Sequence, residues 1–534
     1  ERNIVDKSNL NLNNILSKDI QQYIITSGDQ TINVSTAPST DNGNAINRSN
    51  DDSGADILDL TEYAVEEEVE EGDKGYEGAV VLEPQKGVKE LVADLDASQM
   101  YPRLMIRSNI FKDTLCGIIA IDYEKYAEAW LYNRDAFPNE ILIKLFNTGN
   151  DQIVKMSKSQ FEQYLQDKIL TPFGTIYWKP SIKRSLVSDI LITLIVNRSK
   201  YKKLRDEVTE KYTASKEAND TDSMKEYARL MDRYDNLQTA YKSLINSFYG
   251  VMGMLMYRLS DMFSAASIIA SGRELTRMVA HYGSKYMDTM IEEKNPKVPF
   301  DHVPIDCKTL IGMEDIVNRP NILYGDTDSV FVHIGKVVNG IFGSDISMDE
   351  KLDHSWQVID NVADYLNNYV IRNILERKGI DFFDADKKYN YEFKKELIMS
   401  KILFGSQKKH YAMRLVIKEG KRLDKIVIKG MLAIKSDTPR FSRNLLNNLT
   451  EYILKDYDAN NIAVSNRAMM DMYDKATKEI VPLIHDGIVD IGRPVSLTQD
   501  IQHYSTIQAH IRGMLLYDII YNHDYMFMDK AYQF

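Results

Sequence analysis

The segment Ile322-Leu323-Tyr324-Gly325-Asp326-Thr327-Asp328-Ser329-Val330-Phe331-Val332 decides the fold. Two short apolar runs flank a polar turn, the pattern of a β-hairpin with a tight tip. Gly and Asp suit turns, so an acidic tip alone reads equally well as plain turn chemistry. Here, however, two carboxylates stand one residue apart between strands that expect burial. Like charges packed this closely resist ionisation unless a cation compensates. Hard oxygen ligands suit magnesium.

Working outward, Leu91-Val92-Ala93-Asp94-Leu95 reads as a strand that continues into Asp96, with Tyr101 five positions beyond that acid. Ala79 to Leu82 reads as another strand, with Pro84 to Gly87 as the turn between them. Ser181 to about Glu207 is helical in pattern, with Ser181 as the expected N-cap after Pro180. A polar connector from Thr213 to Ser223 separates it from a second long helix, Met224 to Tyr249. The two form an antiparallel helical hairpin. On the second, Lys242, Asn246 and Tyr249 stand at i, i+4 and i+7 and share one face. Arg198 and Lys202 repeat the i, i+4 spacing on the first. Three cations on paired helices suit a triphosphate, although solvated charges on a long helix have the same spacing. Residues 257–290 read as helix, and after Gly430 the pattern is helical to the end.

The bulk numbers bound the class. A chain of 534 residues, 44% hydrophobic and 27% charged, predicts several soluble domains. No apolar run spans a bilayer, and no secretory pattern opens the chain. Two cysteines, Cys116 and Cys307, exclude a disulfide framework and fit a reducing compartment. The net charge of −12 is unevenly spread. Residues 51–77 carry twelve acids against the single base Lys74, in a leader (residues 1–75) read as largely disordered. Residues 394–429 carry eleven Lys and Arg against three acids, a patch able to follow a phosphate backbone.

Together these segments resemble the family B DNA polymerases, above all the bacteriophage replicative enzymes. Tyr324 to Ser329 matches motif C of that family, and Asp96 to Pro102 resembles motif A. Lys242 to Gly250 matches motif B, Lys-x-x-x-Asn-Ser-x-Tyr-Gly. Lys409-His410-Tyr411 resembles the Lys-x-Tyr element that follows motif C, and His510-Ile511-Arg512-Gly513 resembles a thumb segment. The resemblance implies an α+β right hand: an antiparallel-sheet palm (76–177 and 251–415), two-helix fingers (178–250) and a helical, truncated thumb (416–534).

It further implies a DNA-directed DNA polymerase acting in replication, in the cytoplasm of an infected host cell if the phage likeness holds. Two magnesium ions would be held by Asp96, Asp328 and the carbonyl of Ala97, with Asp326 in support and Glu396 as an accessory carboxylate. Arg198, Lys202 and Lys242 would grip the triphosphate. Gln99 and Met100 would line the nucleotide, and Tyr101 would exclude a 2′-hydroxyl. Asn246 and Tyr249 would line the nascent base pair. Gly250, Thr327, Lys409 and Tyr411 would meet primer-template DNA, the last two in the minor groove. Gln99 replaces the usual Ser, Met100 the usual Leu, and His410 a common Arg. Only 95 residues precede Asp96, and they carry no exonuclease signature. Proofreading and thumb completion would then come from a separate chain, with a sliding clamp as a further partner. The competing readings are a subunit competent only with that partner and a degenerate DNA-binding scaffold.

Overall fold

The computed structural model describes residues 32–33, 77–146, 152–254, 256–310, 320–458, 461–486, 492–496 and 530–533. Most of the leader and the 510–513 segment lie outside the described residues. In chain order come β1 (Ile32–Asn33), β2 (Gly87–Ala97), α1 (Met100–Arg107), β3 (Leu115–Ile119), α2 (Tyr123–Tyr132), β4 (Glu140–Leu145) and β5 (Gln152–Ser157). Then follow α3 (Lys158–Tyr164), β6 (Lys168–Leu170), β7 (Thr175–Trp178), α4 (Leu186–Glu217), α5 (Thr221–Met252) and α6 (Met262–Glu292). Next are β8 (Ile322–Asp326), β9 (Ser329–Val332), α7 (Ile334–Phe342), α8 (Met348–Tyr365), α9 (Ile371–Arg377), β10 (Phe393–Phe404), β11 (Tyr411–Lys418) and β12 (Lys421–Lys429). After these come α10 (Arg440–Lys455), α11 (Ile462–Asp486), β13 (Arg493–Ser496) and β14 (Lys530–Gln533).

The fold is α+β and is organised on an antiparallel sheet of order β12-β11-β10-β2-β9-β8. Strand alternation explains how this sheet carries both core and acids. On β2, Ala93, Leu95 and Ala97 face the main core, which α6, α7, α8 and α9 cover. Val92, on the opposite face, joins Tyr324, Phe331, Met399, Phe404 and Tyr411 in a second apolar cluster. Asp94 and Asp96 continue the Val92 face toward the sheet end. A second sheet of order β1-β5-β4-β3-β7-β6 packs beside α6. Ile32 of the expected leader pairs with Ile153 in it.

The helical hairpin is confirmed and is longer than the pattern predicted. Both α4 and α5 have 32 residues, and each spans roughly 48 Å at 1.5 Å per residue. The polar connector continues the helices, and only Ala218, Asn219 and Asp220 turn the chain. Asn219 adopts φ 56°, and the Asp220 carboxylate caps the Ser223 amide. Ser185, not Ser181, is the N-cap of α4. Its amide is held by Asn109 Oδ1, whose Nδ2 also donates to the carbonyls of Trp178 and Lys183. The root of the hairpin packs Val187, Leu191, Ile195, Ile245 and Met252 against Met105, Ile106 and Ile268.

Other expectations shift. Ala79–Leu82 contributes one bridge, Val81 to Asp326, rather than a strand. Residues there spend their hydrogen bonds on motif C, as Leu82 N donates to Gly325 O. The helix expected at 257 begins at Met262. The palm boundary expected at 415 falls inside β11, because the main sheet continues to Lys429. After Gly430 the described chain holds α10 and α11, but also the antiparallel pair β13–β14. Among the described residues no helix is long and apolar enough to cross a membrane.

Candidate active site

Sheet register brings the two decisive acids together. Asp96 pairs with Ser329, and the Ala97 amide donates to the Asp328 carbonyl at 2.7 Å. The end of β2 and the β8–β9 turn therefore meet at one sheet end. The turn is fixed by Asp328 N donating to Asp326 O at 2.6 Å, and Thr327 holds φ 60°. Few non-glycine residues take that conformation without support. The support is Thr276 of α6, whose hydroxyl donates to the Thr327 carbonyl at 2.8 Å.

Electrostatics follow from this crowding. Burial, then Asp328 and Glu396, push the Asp96 carboxyl up to about 7, against the opposing pull of Lys242 and Lys429. Asp328 keeps solvent contact, yet the protein around it raises its carboxyl, with Asp326 and Glu396 adding to the rise. Glu396 thus belongs to the cluster. It sits where the β10–β2 register slips between Lys395 and Leu397, a bulge that re-aims one residue. Asp94 was not singled out in the sequence. It is 6% exposed, its carboxyl is raised well above the usual range chiefly by burial, and its Oδ1 has no hydrogen-bond partner among the described residues. The available signal was its i−2 spacing from Asp96 on one strand face. Lys429, which acts on both Asp94 and Asp96, was also missed as an individual residue.

An orphaned buried carboxylate oxygen beside several acids that raise one another is an environment that lacks positive charge. Hard divalent cations fit that donor set. Among the described residues no three His, Cys, Asp or Glu side chains close a ready-made metal cage.

The remaining expected residues divide. Lys242 is exposed on α5, and its charge opposes the rise of the Asp96 carboxyl. Tyr101 and Tyr249 stack with ring centroids 4.6 Å apart at 38°, which joins motifs A and B directly. Gln99 takes φ 56° at the start of α1, and its carbonyl accepts the Arg103 amide at 3.1 Å. Met100 is buried, whereas Asn246 and Gly250 are exposed on α5. Arg198 is half-buried, which lowers its guanidinium pKa. Lys202 lies 3.7 Å from Glu419, at the β11–β12 tip, rather than against the acids. Lys409 Nζ pairs with Asp326 at 2.8 Å, and its amide donates to the Tyr324 hydroxyl. Tyr411 is 8% exposed, and its ring packs on Tyr324, Phe331 and Phe404.

Comparison with known proteins places this geometry. The sequence profile of DNA polymerase family B matches residues 19–341. The chain belongs to that family. The match begins within the stretch read as leader and takes in motifs A, B and C. The chain is 23% identical over 439 residues to the DNA polymerase delta catalytic subunit of Candida albicans, covering 82% of this chain and 31% of that protein. It is 22% identical over 490 residues to the DNA-directed DNA polymerase of Enterobacteria phage T4, covering 83% and 47%. A DNA polymerase of Choristoneura biennis entomopoxvirus is 22% identical over 73% of this chain and 35% of its own length. The chain thus spans between about a third and a half of these relatives.

Proposed function

We propose that this chain carries the catalytic centre of a DNA-directed DNA polymerase, which adds deoxynucleotides to a primer 3′ end during replication. The observation that carries the reading is convergence: acids from β2 and the β8–β9 turn meet at one sheet end, the charge of Lys242 on α5 bears on Asp96, and a ring pair joins α1 to α5. In this reading the main sheet is the palm, the α4–α5 hairpin the fingers, and α10–α11 part of the thumb.

Asp96, Asp328 and the Ala97 carbonyl would hold two magnesium ions. Bound there, the ions would activate the primer hydroxyl and neutralise charge on the transferring and leaving phosphates. The chain's own groups supply positioning. Asp326, paired with Lys409, braces the turn and keeps Asp328 in place. Glu396 adds negative charge beside the cation site, which strengthens its demand for positive charge. Lys242, Arg198 and Lys202 bind the β- and γ-phosphates as point charges and a fork. Gln99 offers main-chain contact to the triphosphate, and Met100 packs beneath it. Tyr101 closes the space beside C2′ of the sugar. Asn246 and Tyr249 line the nascent pair, and Gly250 and Thr327 leave the DNA room. The basic β10–β12 surface, with Lys409, follows the duplex backbone.

The test is primer extension with magnesium and four deoxynucleotides, in parent and Asp328→Asn proteins of equal melting temperature. Template-dependent extension by the parent alone is expected. Equal activity in both would overturn the reading.

A further inference from the structure

Helix α6 is buried along most of its length, and Gly272 lies in its middle. Glycine there costs about 1 kcal/mol relative to alanine. Its backbone is ordinary helix, so conformation does not require it. Space does. A Cβ at Gly272 would lie 3.2 Å from Tyr101 Cε1, 3.2 Å from Met100 Cε and 4.0 Å from Leu104 Cδ1. Both nearest atoms belong to the segment that lines the nucleotide in the reading above. The Tyr101 ring has Tyr249 against it at 4.6 Å and α6 along its Cε1 edge. A methyl added there presses on the Tyr101 ring edge and on the Met100 terminus. One turn later on the same face, Thr276 holds the Thr327 carbonyl at 2.8 Å. One helix face therefore braces both the ring and the metal turn.

We propose that Gly272 is a specificity-determining position: its missing side chain sets the depth of the Tyr101 ring, and so the clearance left at the 2′ position of the incoming sugar. The proposal rests on Tyr101 acting as the sugar gate. Gly272 itself touches no substrate; it positions Tyr101. Adding one methyl narrows the clearance. A ribonucleotide, with its extra hydroxyl, loses more than a deoxynucleotide.

The experiment is single-nucleotide insertion with matched ribo- and deoxynucleoside triphosphates. It compares the parent, Gly272→Ala, Tyr101→Ala and the double variant, each checked by melting temperature. Gly272→Ala is expected to raise KM more than it lowers kcat. It should increase discrimination against ribonucleotides about ten-fold, the lower end of what one methylene in a filled pocket is worth. In the Tyr101→Ala background the same substitution should leave the ratio unchanged. A parent-like ratio in Gly272→Ala, or an equal shift in both backgrounds, overturns the proposal. If Tyr101→Ala keeps the parent's discrimination, the gate reading falls and takes this proposal with it. If Tyr101→Ala loses discrimination while Gly272→Ala changes nothing, the proposal alone falls. Should Gly272→Ala not fold, Gly272→Ala/Met100→Ala removes one of the two crowded contacts. Its ratio must exceed that of Met100→Ala, and equal ratios overturn the idea.

Discussion

The Thr276 hydroxyl donates to the Thr327 carbonyl at 2.8 Å, across 51 residues of sequence. It secures a left-handed residue between the two acids of motif C. Replacing Thr276 with Val keeps the shape and removes the donor. One such bond is worth about 1 kcal/mol net. The expected result is a melting temperature lower by a few degrees, with extension slowed several-fold as Asp328 loses its fixed position. Thr276→Ser should restore both. Calorimetry and single-turnover insertion measure the two effects separately.

The acid cluster has a thermodynamic sign. Asp96 has a folded pKa of about 7, above the usual carboxylate range, so the folded state binds more protons than the unfolded state between those values. Stability from this group is present below pH 4 and lost as pH rises through 7. Asp96→Asn should therefore melt a few degrees above the parent at pH 8, and the gap should shrink below pH 7 and close near pH 4. Because the site is half-open to solvent, the gain should fall short of a fully buried charge. Magnesium should raise the parent's melting temperature at pH 8 and leave that of Asp96→Asn nearly unchanged. A melting series across pH, with and without the ion, reads all of this.

How much of this was legible in the sequence varied with range. Short apolar runs pointed to the strands that flank Asp96 and the Asp326–Asp328 turn, and i, i+4 spacing pointed to the Lys242 face, because both signals are local. The end of α4 was misread because Lys, Glu, Ser and Thr in residues 213–217 are polar without breaking a helix. Ala79–Leu82 looked like a strand, yet its chain is spent on capping motif C. The Glu396 bulge depends on how β10 registers against β2, which no single segment records. Gly272 and Thr276 were silent for the same reason: α6 is buried on nearly every face, with polar residues among the buried ones, so its pattern does not mark which face braces the site.

Two glycines separate a structural from a functional requirement. Gly430 has φ 69°, and a Cβ there would lie 2.3 Å from the Lys409 carbonyl oxygen. Lys409 is itself left-handed at φ 66° and pairs with Asp326. Gly430→Ala should cost about 2–4 kcal/mol, from the left-handed penalty and the overlap together. Gly250 sits in α5 with nothing within 4 Å of a would-be Cβ. Gly250→Ala should leave stability equal or slightly higher. If nucleotide and template fill that space, extension falls nonetheless. Denaturant melts beside primer extension would show opposite patterns for the two variants.

Lys202 and Glu419 meet at 3.7 Å, and the Glu419 amide donates to the Glu396 carbonyl at 2.9 Å. The β11–β12 tip thus offers a carboxylate to a cation that the proposed mechanism assigns to the triphosphate. Both partners are exposed, so the pair adds little to stability, at most about 1 kcal/mol. Its consequence is competition: a nucleotide must draw Lys202 away from Glu419. Glu419→Gln should leave the melting temperature within about a degree of the parent. It should also lower KM for deoxynucleotides about two- to five-fold, the equivalent of 1 kcal/mol or less. Salt weakens exposed pairs, so the difference should shrink above roughly 0.5 M ionic strength. Lys202→Gln should raise KM, and adding Glu419→Gln to it should change nothing further. Steady-state insertion at two salt concentrations measures each term. A higher KM in Glu419→Gln would mean that the pair holds the hairpin in its working position instead of competing with substrate.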